Sequence, residues 1–144
     1  MKTYRFVSLV MLAAAALSAC ASGGMTIHVI EHANTDTIVD IGPTSDTVGD
    51  VLAFANPVFD EANQKEVGTD TGYCVRTIVG EAWECFWTVY LADGQITVAG
   101  PFSDTKDSVL AITGGTGAYS RARGQMKLHA LSATEFDFIY ELTR

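Results

Sequence analysis

From Thr26 onward, apolar and polar positions alternate with a period of two rather than at helical spacing. The last segment is the plainest: Phe136, Phe138, Tyr140 and Leu142 share one face, and Asp137, Ile139 and Glu141 the other. The same reading predicts strands over Thr26–Glu31, Val51–Phe59, Thr71–Val79, Trp83–Leu91, Gln95–Ala99, Ser108–Ile112 and Gln125–Leu131. Between two of them, Asp93-Gly94 marks a hairpin turn, because glycine supplies the positive φ such turns need. No segment carries an apolar stripe at helical spacing. Eight short strands in so short a chain point to a sandwich or a closed barrel. The barrel is favoured, since few strands carry the lysines that protect an exposed edge. The expected fold is therefore all-β, an eight-stranded antiparallel β-barrel over residues 26–144.

Composition agrees with one globular domain. The chain has 144 residues, 48% hydrophobic and 18% charged, with 7 Phe, 5 Tyr and 2 Trp. That apolar content excludes a disordered chain. The formal charge of −8 argues against a general nucleic-acid binder, which needs a basic face to neutralise phosphates.

The first 19 residues read differently. Lys2 and Arg5 precede an uncharged apolar run from Phe6 to Leu17, too short to span a ~30 Å bilayer comfortably but suited to a signal-peptide core. The run ends in Leu17-Ser18-Ala19-Cys20, which resembles a bacterial lipobox, whose cysteine is acylated and becomes the first mature residue. Ordinary cleavage after Ala21 is the competing reading, with a secreted product. On the lipoprotein reading, residues 1–19 are the leader and residues 20–25 carry the lipid on Cys20 and a tether. Ala21 after the cysteine then favours anchoring in the outer membrane, facing the periplasm. Loss of the leader removes two positive charges and no negative ones, taking −8 to −10. Such an acidic domain is held at the membrane by its lipid rather than by its surface.

Cys74 and Cys85 centre on residues 79 and 80. A hairpin with a four-residue loop, Ile78 to Glu81, makes them a directly opposed, non-hydrogen-bonded pair with Cα atoms about 4.5 Å apart. In an exported protein that pair is a candidate disulfide, which leaves Cys20 for the lipid. The same register sets Arg76 opposite Trp83. If their face points inward, a guanidinium stacked on the indole would hold a ligand carboxylate; if outward, Arg76 is a surface cation.

Several blocks follow one another in order: Gly49-Asp50-Val51-Leu52-Ala53-Phe54-Ala55-Asn56, Gly72-Tyr73-Cys74-Val75, Ile96 through Phe102, and Leu110 through Gly117. The run continues through Ala122-Arg123-Gly124-Gln125-Met126-Lys127-Leu128-His129. The series resembles the allene oxide cyclase family, and the stretch from Gly114 to Gly124 is also similar to dirigent proteins. The resemblance implies a lipocalin-like barrel with an apolar cavity, often trimeric. It also implies catalysis by orientation: a bound reactive molecule is held so that its closure or coupling gives one product. No cofactor is expected, and the partner is a small apolar ligand.

Carried over residue by residue, the family glutamate falls on Glu31, the asparagine of the Phe-x-Asn block on Asn56, and the cysteine near the substrate on Cys74. Each has a plainer reading: Glu31 as a rim carboxylate in water, Asn56 as a turn residue before Pro57, and Cys74 as half of a structural disulfide. The second family asparagine falls on Ala33, and the tyrosine after Gly-Pro on Phe102, which has no hydroxyl. Phe54, Arg76, Trp87 and Phe102 are the candidate ligand contacts, with Trp87 read as core or cavity wall. Gly114, Gly115 and Gly117 do not join a strand to a helix, so they suit a tight turn better than a phosphate cradle, with Arg123 tied to a carboxylate. His28, His32 and His129 lack zinc-like spacing, and no metal is expected. A non-catalytic, lipid-anchored binding protein for apolar ligands is the alternative to a cyclase.

Overall fold

The structure is a computed structural model that describes residues 23–143. The proposed leader and Cys20 lie outside the described residues. Nine strands follow in order: β1 (Met25–His32), β2 (Thr37–Val39), β3 (Val51–Asp60), β4 (Glu66–Ile78), β5 (Ala82–Leu91), β6 (Gly94–Ser103), β7 (Ser108–Gly115), β8 (Arg123–Ala130) and β9 (Glu135–Thr143). One 3₁₀ turn, Gly117–Tyr119, separates β7 from β8. All neighbouring strands are antiparallel, and β1 pairs with both β9 and β3. That double pairing closes eight strands into a barrel, so the expectation of a closed sheet holds. β2 is the strand not foreseen. It continues the line of β1 along β3, with Thr37 opposite Ala53 and Val39 opposite Val51, after a break over residues 33–36.

Alternation sorts the side chains. Val58, Val89, Ile96, Val98, Met126 and Tyr140 are among the residues fully buried inside the barrel. The outward residues fall into two regions. Across β3 to β7 they are largely uncharged, including Tyr73, Phe86 and Tyr90, whereas β8, β9 and β1 carry Lys127, His129, Asp137, Glu141 and His28.

Two turns differ in detail from the sequence reading. The β4–β5 hairpin aligns Cys74 with Cys85 and Arg76 with Trp83 as expected, but an extra residue at Thr77 brings Ile78 opposite Ala82. The loop is thus Val79-Gly80-Glu81, with Gly80 at φ +65. In the β5–β6 hairpin Leu91 pairs with Gly94, so the turn is Ala92-Asp93 and Gly94 opens the next strand. Gly117 has φ +58, and a Cβ there would lie 2.4 Å from the carbonyl oxygen of Asp93. Of the three glycines, Gly117 thus sits in a packed turn as expected, whereas Gly114 and Gly115 end β7, paired with Thr97 and Ile96. Arg123 departs from expectation: its Nη1 donates to the Ala122 carbonyl, and among the described residues it forms no ion pair with a carboxylate.

Candidate functional site

The interior is not filled solid. A cavity of about 60 Å³ opens toward the end of the barrel where β1 finishes; with its mouth the free space reaches about 410 Å³. Phe54, Trp87, Phe102, Phe136 and Phe138 line it, with Leu52, Leu128 and both cysteines. Trp87 packs against Phe138 at 5.5 Å between ring centroids and meets the edge of Phe54 at 6.1 Å. The indole fits because Gly72 stands opposite on β4; a Cβ there would come within 2.3 Å of the Trp87 Cβ. Aromatic walls of this kind offer a planar ligand large contact area at little cost in side-chain entropy.

Polar groups gather at the wall where β1 breaks. Glu31, 5% exposed, is the penultimate residue of β1 and lines the cavity. Asn56 lies in the middle of β3, not in a turn, and is fully buried. Its Nδ2 donates to Glu31 Oε1 and to Asp36 Oδ1, both at 2.8 Å, while its Oδ1 accepts from the backbone N–H and hydroxyl of Thr35. The amide thus bridges the gap between β1 and β2 and spends both its N–H groups doing so. It positions Glu31 and has no proton left to offer a ligand.

Asp70 is the residue sequence reasoning missed. It is fully buried on β4, opposite Asn56 and Val89. The strand was expected to begin at Thr71 but begins at Glu66. Extending the alternation through Asp70, Gly72, Cys74 and Arg76 would have placed Asp70 inside. Among the described residues, no donor engages either Asp70 oxygen at normal geometry. Its carboxyl faces that of Glu31, and this contact is a hydrogen bond only when one of the two is protonated. Burial pushes the Glu31 carboxyl up to about 7, opposed by the Asn56 hydrogen bond, which favours the ionised form. Burial first, and then the charge of Glu31, push Asp70 up to about 9. At neutral pH the pair therefore holds a proton on Asp70, because Glu31 has the amide donor and Asp70 does not. Tyr140, fully buried beside them, is raised well above its ordinary value by burial and by the charge of Asp70. The Tyr140 hydroxyl and Trp87 Nε1 have no partner at full hydrogen-bonding geometry. Carboxyl pair, phenol and indole thus form a buried polar patch against the apolar cavity.

Cys74 and Cys85 are joined by a disulfide, Cα atoms 4.0 Å apart. Cys74 lines the cavity as a sulfur in that bond and offers no free thiol, in keeping with its plainer reading as half of a structural disulfide.

Arg76 points inward, 7% exposed, and stacks on Trp83 with its guanidinium carbon 3.8 Å from the ring centroid. It is not available to a ligand carboxylate as the sequence reading allowed. Nε donates to Asp46 Oδ1 at 2.7 Å and Nη1 to Asp104 Oδ2 at 2.5 Å. Trp83 Nε1 donates to the other oxygen of Asp104 at 3.0 Å, and Asp46 also accepts from the Gly80 N–H. The cluster ties three loops across the barrel end. It does not line the cavity.

A closed eight-stranded barrel, aromatic within and carrying a buried acid pair beside an open cavity, defines a lipocalin-like architecture. The chain belongs to the allene oxide cyclase family: the family model described as allene oxide cyclase matches residues 27–142. Solved structures agree in fold. One described as pyocyanin demethylase superposes with a TM-score of 0.74 at 26% identity, covering 83% of this chain and 100% of that one. A pterocarpan synthase dirigent protein gives 0.70 at 19% identity over 93% and 94%. An exo-specific intermolecular Diels-Alderase gives 0.63 at 12% identity over 83% and 98%.

Proposed function

We propose that this barrel binds a small apolar molecule, fatty-acid- or polyketide-like, in the aromatic cavity and steers its cyclisation or coupling. The observation that carries this reading is the buried Glu31–Asp70 pair beside an aromatic cavity that is open to solvent at one end. The walls would hold the ligand in one reactive shape, supplying orientation rather than a covalent step. Glu31, which lines the cavity, would donate the proton it shares with Asp70 to a ligand oxygen or nitrogen as negative charge builds there, and would take it back as that charge disperses. Two carboxyls sharing one proton are suited to that exchange near neutral pH. Names of neighbouring folds, a dirigent synthase and a Diels-Alderase, support cyclisation or coupling as the reaction class.

Export supports the same picture. A leader over residues 1–19 and a lipid on Cys20 would tether the barrel to the outer membrane, facing the periplasm, and the Cys74–Cys85 disulfide suits an oxidising compartment. The largely uncharged outer face of β3 to β7 suits assembly into a homotrimer.

The test supplies the full chain with a freshly generated fatty-acid allene oxide, as free acid and as methyl ester, and reads the enantiomeric ratio of the cyclopentenone. An excess of one enantiomer that weakens in Glu31→Gln supports the cyclase. A racemic product despite measurable ligand binding supports the alternative, a binding protein without catalysis. Similarity to the structure described as pyocyanin demethylase favours a second reading, demethylation, which loss of pyocyanin absorbance on incubation would test.

A further inference from the structure

We infer that the cavity selects neutral or cationic apolar ligands and rejects those bearing a carboxylate, an inference that rests on the cavity being the ligand site. The charged groups facing it are all acidic. Glu31 lines it from β1 and Asp36 from the break that follows. Asp70 stands behind Glu31 on β4, fully buried. Among the described residues, no lysine, arginine or histidine lines the space. The nearest histidine by charge, His32, acts on Glu31 but lies on the outer side, stacked on Phe59 at 4.1 Å and bound through Nε2 to Asn63.

Among the described residues, the one inward cation is spent. Arg76 follows Cys74 on the same inward face, and two carboxylates of its own chain hold its guanidinium, one on each side. An incoming carboxylate would have to displace Asp46 or Asp104, each of which anchors a loop as well. It would also meet the Glu31 charge with nothing to offset it. Two like charges about 6 Å apart in an environment of effective dielectric ~20 repel enough to weaken binding by one to two orders of magnitude.

The same acidic lining says what is accepted instead. An uncharged ligand meets no repulsion from Glu31 or Asp36, and one that carries a hydroxyl or N–H can donate to Glu31. A cationic nitrogen satisfies the Glu31 carboxylate. Both are compatible with aromatic walls, since a cation also gains from ring faces.

Three probes of one skeleton test this by calorimetry on the full, disulfide-bonded chain at pH 8, above the Glu31 value of about 7: 1-naphthylmethanol, 1-naphthylmethylamine and 1-naphthoate. The alcohol and the amine are expected to bind at least tenfold more tightly than the carboxylate. Glu31→Gln should bring the carboxylate to within about threefold of the alcohol and weaken the amine, and Asp36→Asn, at the other carboxylate that lines the cavity, provides a second variant should the first not fold. Binding of the carboxylate as tight as that of the alcohol overturns the inference while leaving the ligand site in place. Discrimination unchanged in both variants overturns its assignment to the carboxylates that line the cavity. Binding of none of the three overturns the ligand-site reading, and the inference with it.

Discussion

Replacing Asp70 with asparagine should flatten the dependence of stability on alkaline pH. In the folded barrel Asp70 retains its proton up to about 9, whereas an unfolded chain loses it near 3.8. Glu31 likewise keeps its proton up to about 7 against 4.5 unfolded. Both pKa values are raised, so the folded state binds more protons and stability is greatest below the unfolded values and falls as pH rises. From about pH 5 to 7 both groups contribute to the fall. From about 7 to 9 Asp70 alone holds an extra proton. One proton corresponds to about 1.4 kcal/mol per pH unit, or roughly 3 kcal/mol across that window. At a urea dependence of about 1–3 kcal/mol per molar, the unfolding midpoint of the natural chain should fall by about 1–3 M between pH 7 and 9. Asparagine imitates the protonated acid: its amide donates to Glu31 and cannot ionise. The two chains should match only below about pH 4, so near pH 7 the variant should already be the more stable, and it should lose almost nothing to pH 9. His129, raised by its contact with Asp107, titrates equally in both chains and cancels in the comparison. Urea titrations of the full, disulfide-bonded chain at pH 6, 7, 8 and 9 read the difference. A natural chain whose midpoint is flat from pH 7 to 9, or a variant that falls as steeply, would refute the placement of a retained proton on Asp70.

Opening the Cys74–Cys85 bond by a paired serine substitution frees a loop of 11 residues and should cost about 3 kcal/mol, read as a lower urea midpoint than the oxidised chain and one insensitive to reductant. Gly72→Ala forces a Cβ to within 2.3 Å of Trp87 Cβ and 2.5 Å of the Phe86 carbonyl, both on a paired strand. A loss of about 2–3 kcal/mol and an altered near-ultraviolet signal from Trp87 are expected; an unperturbed spectrum would contradict the packing. Asp104→Asn leaves Arg76 with one carboxylate, and since Asp104 is a quarter exposed the cost should be about 2 kcal/mol, below that of a fully buried pair. In high salt that loss should persist, because the guanidinium is shielded from solvent, whereas a surface pair would be screened.

The legible part of the site is that which follows chain alternation. Glu31, Asn56, Phe54, Trp87 and Phe102 all sit where a period of two places inward residues, and the two hairpin pairs follow from symmetry about residues 79 and 80. Asp70 was illegible only because its strand was started too late: flanking threonines and Gly68 resemble a turn, and the strand propensity of this stretch is weak on its own. Neighbouring strands, not local preference, hold it extended. The roles of Asn56 and Arg76 were hidden for another reason. Their partners, Thr35 and Asp36 for one, Asp46 and Asp104 for the other, lie in loops whose course no periodicity describes.

By itself, then, the chain determined what is local: strand periodicity, hairpin register, and the opposition of Cys74 to Cys85 and of Arg76 to Trp83. These depend on neighbours a few residues apart, whose geometry the backbone dictates. Tertiary structure alone decided closure, through β1 meeting both β3 and β9, and with closure the meeting of residues 31, 56, 70 and 140 from four strands. It also decided their chemistry. A carboxyl in water is an ordinary acid; Glu31 and Asp70 share a proton because the closed wall removes water from both and leaves each facing the other.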